Sequence, residues 1–155
     1  MTVRVLNKSE KAEIEKKLKG QFGISEVPGK IITSGKERLF LYSGSLNMQQ
    51  IRDLEKITFI ERVGIYFAKI DESTNDIRLS IEGTQILKEQ ITKNIFEIPD
   101  EHVEDWMKGH ELNIQTGIRG FIVMKHKEDF LGTGKASENK IGNFIPKNRR
   151  LREKN

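Results

Sequence analysis

The chain has 155 residues, 35% of them hydrophobic and 32% charged, with a formal net charge of +4. Its longest apolar runs, such as Gly120–Met124, are far too short to cross a bilayer, and no cysteine is present, which excludes disulfides, thiolate catalysis and cysteine-bound zinc or iron–sulfur clusters. The amino terminus meets Lys8 and Glu10 before any apolar leader develops, so a cytoplasmic protein is expected.

Distribution of charge says more than its total. Residues 1–75 hold 13 Lys/Arg against 10 Asp/Glu, 76–111 hold 4 against 9, and 112–155 hold 10 against 4. The blocks carry +3, −5 and +6, a polarity suited to a surface that faces a polyanion.

In chain order, Ser9 is a candidate N-cap for a helix over Glu10–Lys19, with Ala12, Ile14 and Leu18 near one side and Gly20 as its stop. Lys30–Thr33 and Arg38–Tyr42 are β-rich runs joined through Ser34-Gly35-Lys36-Glu37 as a hairpin. Leu46, Met48, Ile51 and Leu54 recur at helical spacing, and Ile57–Ile70 reads as one bent strand or two around Gly64. The polar stretch Asp71–Asp76 marks a domain junction or, alternatively, a long hairpin tip.

Beyond it, Ile77–Ser80 reads as a strand, and Ile81–Lys93 as a helix burying Ile81, Thr84, Ile86, Leu87 and Ile91. Asn94–Ile98 is a short strand, Pro99–Lys108 a helix with early carboxylates ended by Gly109, and Gly120–Met124 a strand. A turn over Lys125–Asp129 leads into Phe130–Lys135, and a last strand is expected near Asn143-Phe144-Ile145.

The glycine-rich Leu131-Gly132-Thr133-Gly134-Lys135-Ala136 is not a Walker loop, which needs four residues between its first glycine and Gly-Lys-Ser/Thr. Gly132 and Gly134 serve barrel geometry or let a nucleic-acid backbone come close; both readings stand at this point. Lys135, Lys140, Lys147, Arg149, Arg150, Arg152 and Lys154 form a basic set able to contact several phosphates. The alternative is a solvated basic tail, but Phe144, Ile145 and Leu151 bracket the set and argue that Lys147–Arg150 sit on a folded surface. Lys135, Lys147, Arg149 and Arg150 are expected along one edge.

His102, His110 and His126 are too scattered for a metal site. The carboxylates of Asp100–Asp105 suit a helix start better than acid–base chemistry, and Trp106 and Phe121 suit a core better than base stacking. Neither a nucleophile–base pair nor a cofactor loop emerges, so a non-catalytic protein without cofactor is expected.

Several ordered segments resemble the PUA domain of RNA-modifying enzymes over about residues 76–150: Leu79-Ser80-Ile81-Glu82-Gly83-Thr84, Trp106-Met107-Lys108-Gly109-His110-Glu111-Leu112, Gly120–Met124 and Phe130–Ala136. Val63–Lys69 and its continuation into Arg78-Leu79 also resemble the NIP-seven family of ribosome biogenesis factors, which joins a small α/β domain to a carboxy-terminal PUA domain and has no catalytic activity. Gly142–Leu151 is similar to the segment closing PUA domains of Nol/Nop/Sun-type RNA cytosine methyltransferases, whose catalytic domain has no room here and whose two cysteines are missing.

These resemblances imply an α+β chain: a small amino-terminal α/β domain over 1–75, then a PUA-type pseudo-barrel over 76–155. They imply an accessory factor for rRNA or tRNA modification or ribosome assembly, with structured RNA as partner. A protein-interaction adaptor that supplies RNA docking in trans to a methyltransferase is the alternative, its partner held by residues 1–75.

Overall fold

The structure is a computed structural model describing residues 3–44, 47–57 and 64–152. Five antiparallel strands make the first sheet in chain order: β1 (Val3–Val5), β2 (Lys30–Ser34), β3 (Arg38–Tyr42), β4 (Ile65–Ile70) and β5 (Ile77–Leu79). Alternation along these strands divides their side chains between two cores. Ile31, Leu39 and Leu41 face helix α1 (Lys8–Phe22), whose Ile14, Leu18 and Phe22 recur every four residues. Ile32 and Phe40 join Val3 and Ile51 of helix α2 (Met48–Ile57).

The second sheet runs β6 (Ile95–Glu97), β7 (Gly120–His126), β8 (Asp129–Ala136) and β9 (Ile141–Asn143). β6 is parallel to β7, and the other pairs are antiparallel. Helix α3 (Ile81–Ile86) precedes this sheet and α4 (Asp100–Met107) connects β6 towards β7. The fold is thus α+β as expected. No helix among the described residues is long and apolar enough to cross a membrane.

Several boundaries differ from the sequence reading, each for a local reason. Helix α1 is capped by Asn7 rather than Ser9: the Glu10 N–H donates to Asn7 Oδ1 at 2.8 Å, and the Asn7 N–H donates to Glu10 Oε1 at 3.1 Å. It runs through Gly20 because Phe22 is fully buried, a gain larger than the roughly 1 kcal/mol that a helical glycine costs. Gly23, left-handed at φ 82°, ends it by donating to Leu18 and Lys19 carbonyls. Ala12, expected near the buried side, is exposed.

The helix expected over Ile81–Lys93 breaks at Leu87. A 3₁₀ turn over Lys88–Gln90 follows, which buries Leu87 and Ile91 but leaves Ile86 41% exposed. The last strand is Ile141–Asn143, earlier than expected, and β1 was not anticipated. Within the expected strand region Ile57–Ile70, residues 58–63 lie outside the described residues; Ile65–Ile70 is strand.

Strand β7 carries the central packing. Phe121 and Val123 join the core under α1, whereas Ile122 and Met124 join the other core with Trp106, Leu112, Ile141 and Ile145. A strand buried on both faces must be apolar without alternation, which explains the run Phe121-Ile122-Val123-Met124.

The expected boundary at 75/76 falls inside the loop of the antiparallel β4–β5 hairpin. Gln21 extends the edge of β5 by pairing its side-chain amide with both backbone groups of Ile77, at 2.9 and 2.8 Å. Gln90 accepts from the Ser25 and Glu26 N–H groups at 3.0 Å. One hydrophobic cluster contains Leu18 and Phe22 together with Leu87, Ile91, Phe121 and Phe130.

Because the chain's single tryptophan, Trp106, lies in the other core, it reports on the coupling. Phe22→Ala should cost about 3–5 kcal/mol. Denaturant unfolding followed by Trp106 fluorescence and by far-ultraviolet circular dichroism should shift together to one lower midpoint. A Trp106 transition unmoved by Phe22→Ala would mean that the two cores unfold independently.

Candidate nucleic-acid interface

Alternation in Ile77-Arg78-Leu79 buries both apolar side chains and turns Arg78 the other way. There its guanidinium carbon lies 4.1 Å from the ring centroid of Phe144, just beyond β9. Phe144 is 37% exposed and meets Phe121 edge-on at 6.0 Å between centroids. These side chains stand where the two sheets adjoin, and two clefts meet at Arg78 and Phe144.

The larger cleft, about 290 Å³, is also lined by Glu37, Lys69, Asp71, Glu72 and Phe121. Its charges are mixed. The Ser73 hydroxyl and N–H hold Asp71 below the usual carboxylate range, with Lys135 adding to the effect. Glu37 and Glu72 share a hydrogen bond, which lowers Glu37, helped by Lys69, and raises Glu72. The smaller cleft, about 90 Å³, is lined by Tyr66, Ser80, Glu82, Gly132, Thr133 and Ile145, among others. The Thr133 hydroxyl is buried without a hydrogen-bond partner.

The basic residues singled out from the sequence are dispersed around this region. Exposed Lys135 on β8 lies 4.0 Å from Asp71 and 5.7 Å from the Phe121 centroid, bordering the larger cleft. Arg149 pairs with Glu82 of α3, bordering the smaller one. Lys140 pairs with Glu111 at 3.0 Å. Lys147 and Arg152 are exposed, and among the described residues no carboxylate pairs with either, nor with Arg78. Lys154 lies outside the described residues.

Arg150 has a different place. Its Nε donates to the Ile145 carbonyl at 2.8 Å, and its side chain lies over Gly109, where an added Cβ would sit 2.3 Å from Nε. The single edge expected for Lys135, Lys147, Arg149 and Arg150 therefore resolves into cleft borders for Lys135 and Arg149 and a turn-holding contact for Arg150. Gly134 packs inward: a Cβ there would lie 2.5 Å from Ile141 Cγ2 and 3.0 Å from the Trp106 ring. Gly132, at φ 84°, donates its N–H to Thr84 Oγ1 at 3.3 Å.

The remaining sequence candidates take structural positions. Trp106 is fully buried and donates its indole N–H to the Leu131 carbonyl at 3.1 Å. His126 Nε2 is 2.8 Å from Asp100 Oδ1, and His110 Nδ1 is 3.6 Å from Asp105. Among the described residues, no group of three or more His, Cys, Asp or Glu could hold a metal ion. Sequence reasoning missed Arg78 altogether and used Phe144 only as an anchor. Alternation could have turned Arg78 outward, but nothing local joins residues 78 and 144.

The order of α4, β7, β8 and β9, closing around Trp106, has a counterpart among known families: residues 93–151 match the family model described as the methyltransferase RsmF PUA domain. The carboxy-terminal region is a PUA-type domain. No curated protein matches the chain. The PUA match begins after α3 and includes Phe121, Phe144 and every basic site candidate except Arg152 and Lys154, whereas Arg78 and the carboxylates of the larger cleft precede it.

The two neighbouring arginines should differ in effect. Arg150→Ala removes a charged hydrogen bond and packing over Gly109, and should cost about 1–2 kcal/mol. Arg149→Ala breaks an exposed ion pair and should stay within about 0.5 kcal/mol of the parent. Equal thermal unfolding midpoints for the two variants would contradict these assignments.

Proposed function

We propose that the chain is a non-catalytic RNA-binding accessory factor, working in the cytoplasm in rRNA or tRNA modification or in ribosome assembly. The observation that carries this reading is the PUA match over 93–151, whose second part overlaps the block of residues, 112–155, that carries +6. Cations concentrated in the carboxy-terminal part of a folded module attract a phosphate backbone and release its counterions on binding. Lys135, Lys147, Arg149 and Arg152 supply backbone contacts, which position an RNA without reading its sequence. Gly132 and Gly134 act in this reading by shaping β8 rather than by touching RNA.

A second reading is favoured by the methyltransferase named in the family description. The chain then docks RNA in trans for an RNA cytosine methyltransferase, with residues 1–75 as the partner-binding part. The likeness to the NIP-seven family supports the assembly reading through its residue pattern alone.

Full-length protein titrated into labelled rRNA and tRNA fragments should bind them more tightly than duplex DNA of equal length. Affinity should fall steeply as salt rises, and Lys147→Ala with Arg152→Ala should flatten the slope by roughly one unit for each lost phosphate contact. Lys16→Ala with Lys17→Ala removes the same charge from α1 and should leave the slope unchanged. Equal affinity for duplex DNA and RNA, or no salt dependence, would remove the RNA-binding reading.

A further inference from the structure

Two features of the groove around Arg78 and Phe144 are not explained by backbone contact with RNA. An arginine without a carboxylate partner among the described residues is laid on a partly exposed aromatic ring. Three carboxyl groups, on Glu37, Asp71 and Glu72, line the same cleft and would repel a phosphate.

A nucleic-acid base meets both conditions. Its π face suits an aromatic ring or a guanidinium plane, the usual platform for unpaired bases in RNA recognition. Its exocyclic amino group donates to carboxylates that a phosphate would avoid. The cleft volume of about 290 Å³ lies at the small end of ligand pockets, which span roughly 300–1,000 Å³, so it has room for one base and none for a duplex. Basic groups stand at the borders: Lys135 beside Asp71, and Lys147 directly after Pro146, which lines the smaller cleft.

We infer that this groove receives one unpaired nucleotide of the bound RNA, its base against Arg78 and Phe144 and its donor edge towards Asp71 and Glu72. The inference rests on the RNA-binding reading and sharpens it: the protein recognises RNA that offers an unstacked base, and prefers adenine, guanine or cytosine to uracil, which has no amino group. The flanking phosphates lie outside the carboxylates, towards Lys135 and Lys147. The residues that select the base come from both sides of the chain, with Arg78, Asp71 and Glu72 before the PUA match and Phe144 within it.

The test compares a short RNA duplex carrying one bulged adenosine with the same duplex lacking the bulge, using the full chain. The bulge should tighten binding roughly tenfold, as a stacked base does. Phe144→Leu, which keeps an apolar side chain beside Phe121, and Arg78→Gln should each remove that advantage and leave duplex affinity within about twofold, since stacking on one base carries no weight in duplex contacts. Phe144→Trp should keep it, and a bulged uridine should gain less than a bulged adenosine.

An intact bulge advantage in Phe144→Leu, or equal loss of affinity for both duplexes, would overturn the inference. Salt-dependent binding of both RNAs with equal affinity by the parent protein would overturn it while sparing the RNA-binding reading; binding of neither would remove both. Should the variants fail to fold, 8-azidoadenosine at the bulge, photocrosslinked to the unaltered protein, decides: adducts on peptides containing Arg78, Phe121 or Phe144 support the groove, and adducts confined elsewhere overturn it.

Discussion

Strand β7 lies between the core beneath α1 and the core around Trp106, and most of the structure follows from its having no solvent-facing side. Phe121 and Val123 close the core beneath α1, while Ile122 and Met124 close the one around Trp106. Such a strand fixes both neighbours at once, because a register slip of one residue would exchange the two sets of side chains. The apolar area it buries ties the first sheet to the second more firmly than any loop connection could. Side-chain amides beyond the first sheet reach back to the α1 region, with Gln90 accepting from the turn after α1 and Asn94 donating to the Gln21 carbonyl.

The seam between the sheets also creates the groove. Where the two sheets adjoin they leave concave surface, and Arg78 from one side and Phe144 from the other line it. A guanidinium laid on a ring keeps its charge available while losing little rotamer entropy on binding. One of the neighbouring carboxylates is not a randomly placed acid: Asp71 is fixed by its own turn through Ser73. The result is a small site with defined donors and acceptors on a protein whose outer cations are spread widely.

Charge in the carboxy-terminal block divides into two kinds. Lys140 and Arg149 are matched with Glu111 and Glu82, and exposed pairs of this sort contribute little to stability. Arg150 is built into the turn by its hydrogen bond to Ile145, so its charge has a structural use that a count of basic residues conceals. Adjacent residues in sequence thus have unlike duties because the 3₁₀ turn over Lys147–Arg149 points successive side chains in different directions.

The sequence by itself determined the local elements. Apolar periodicity located both long strands of the second sheet, the Lys30–Tyr42 hairpin and helix α4, because these depend on side chains near in the chain. The ordered segments also point to the PUA-type region. Helix ends were less legible: Ser9 and Asn7 are both good caps, and only the position of Glu10 relative to Asn7 chose between them. The length of α1 was set by burial of Phe22, and the break after α3 by burial of Leu87 and Ile91, both against a core contributed by distant residues. For the site, the sequence supplied the cations but not their partners. Arg78 and Phe144 are brought together only when β5 completes the first sheet and β9 the second, and hydrophobic burial along β7, which has no preference for which charges it juxtaposes, decides where both sheets lie.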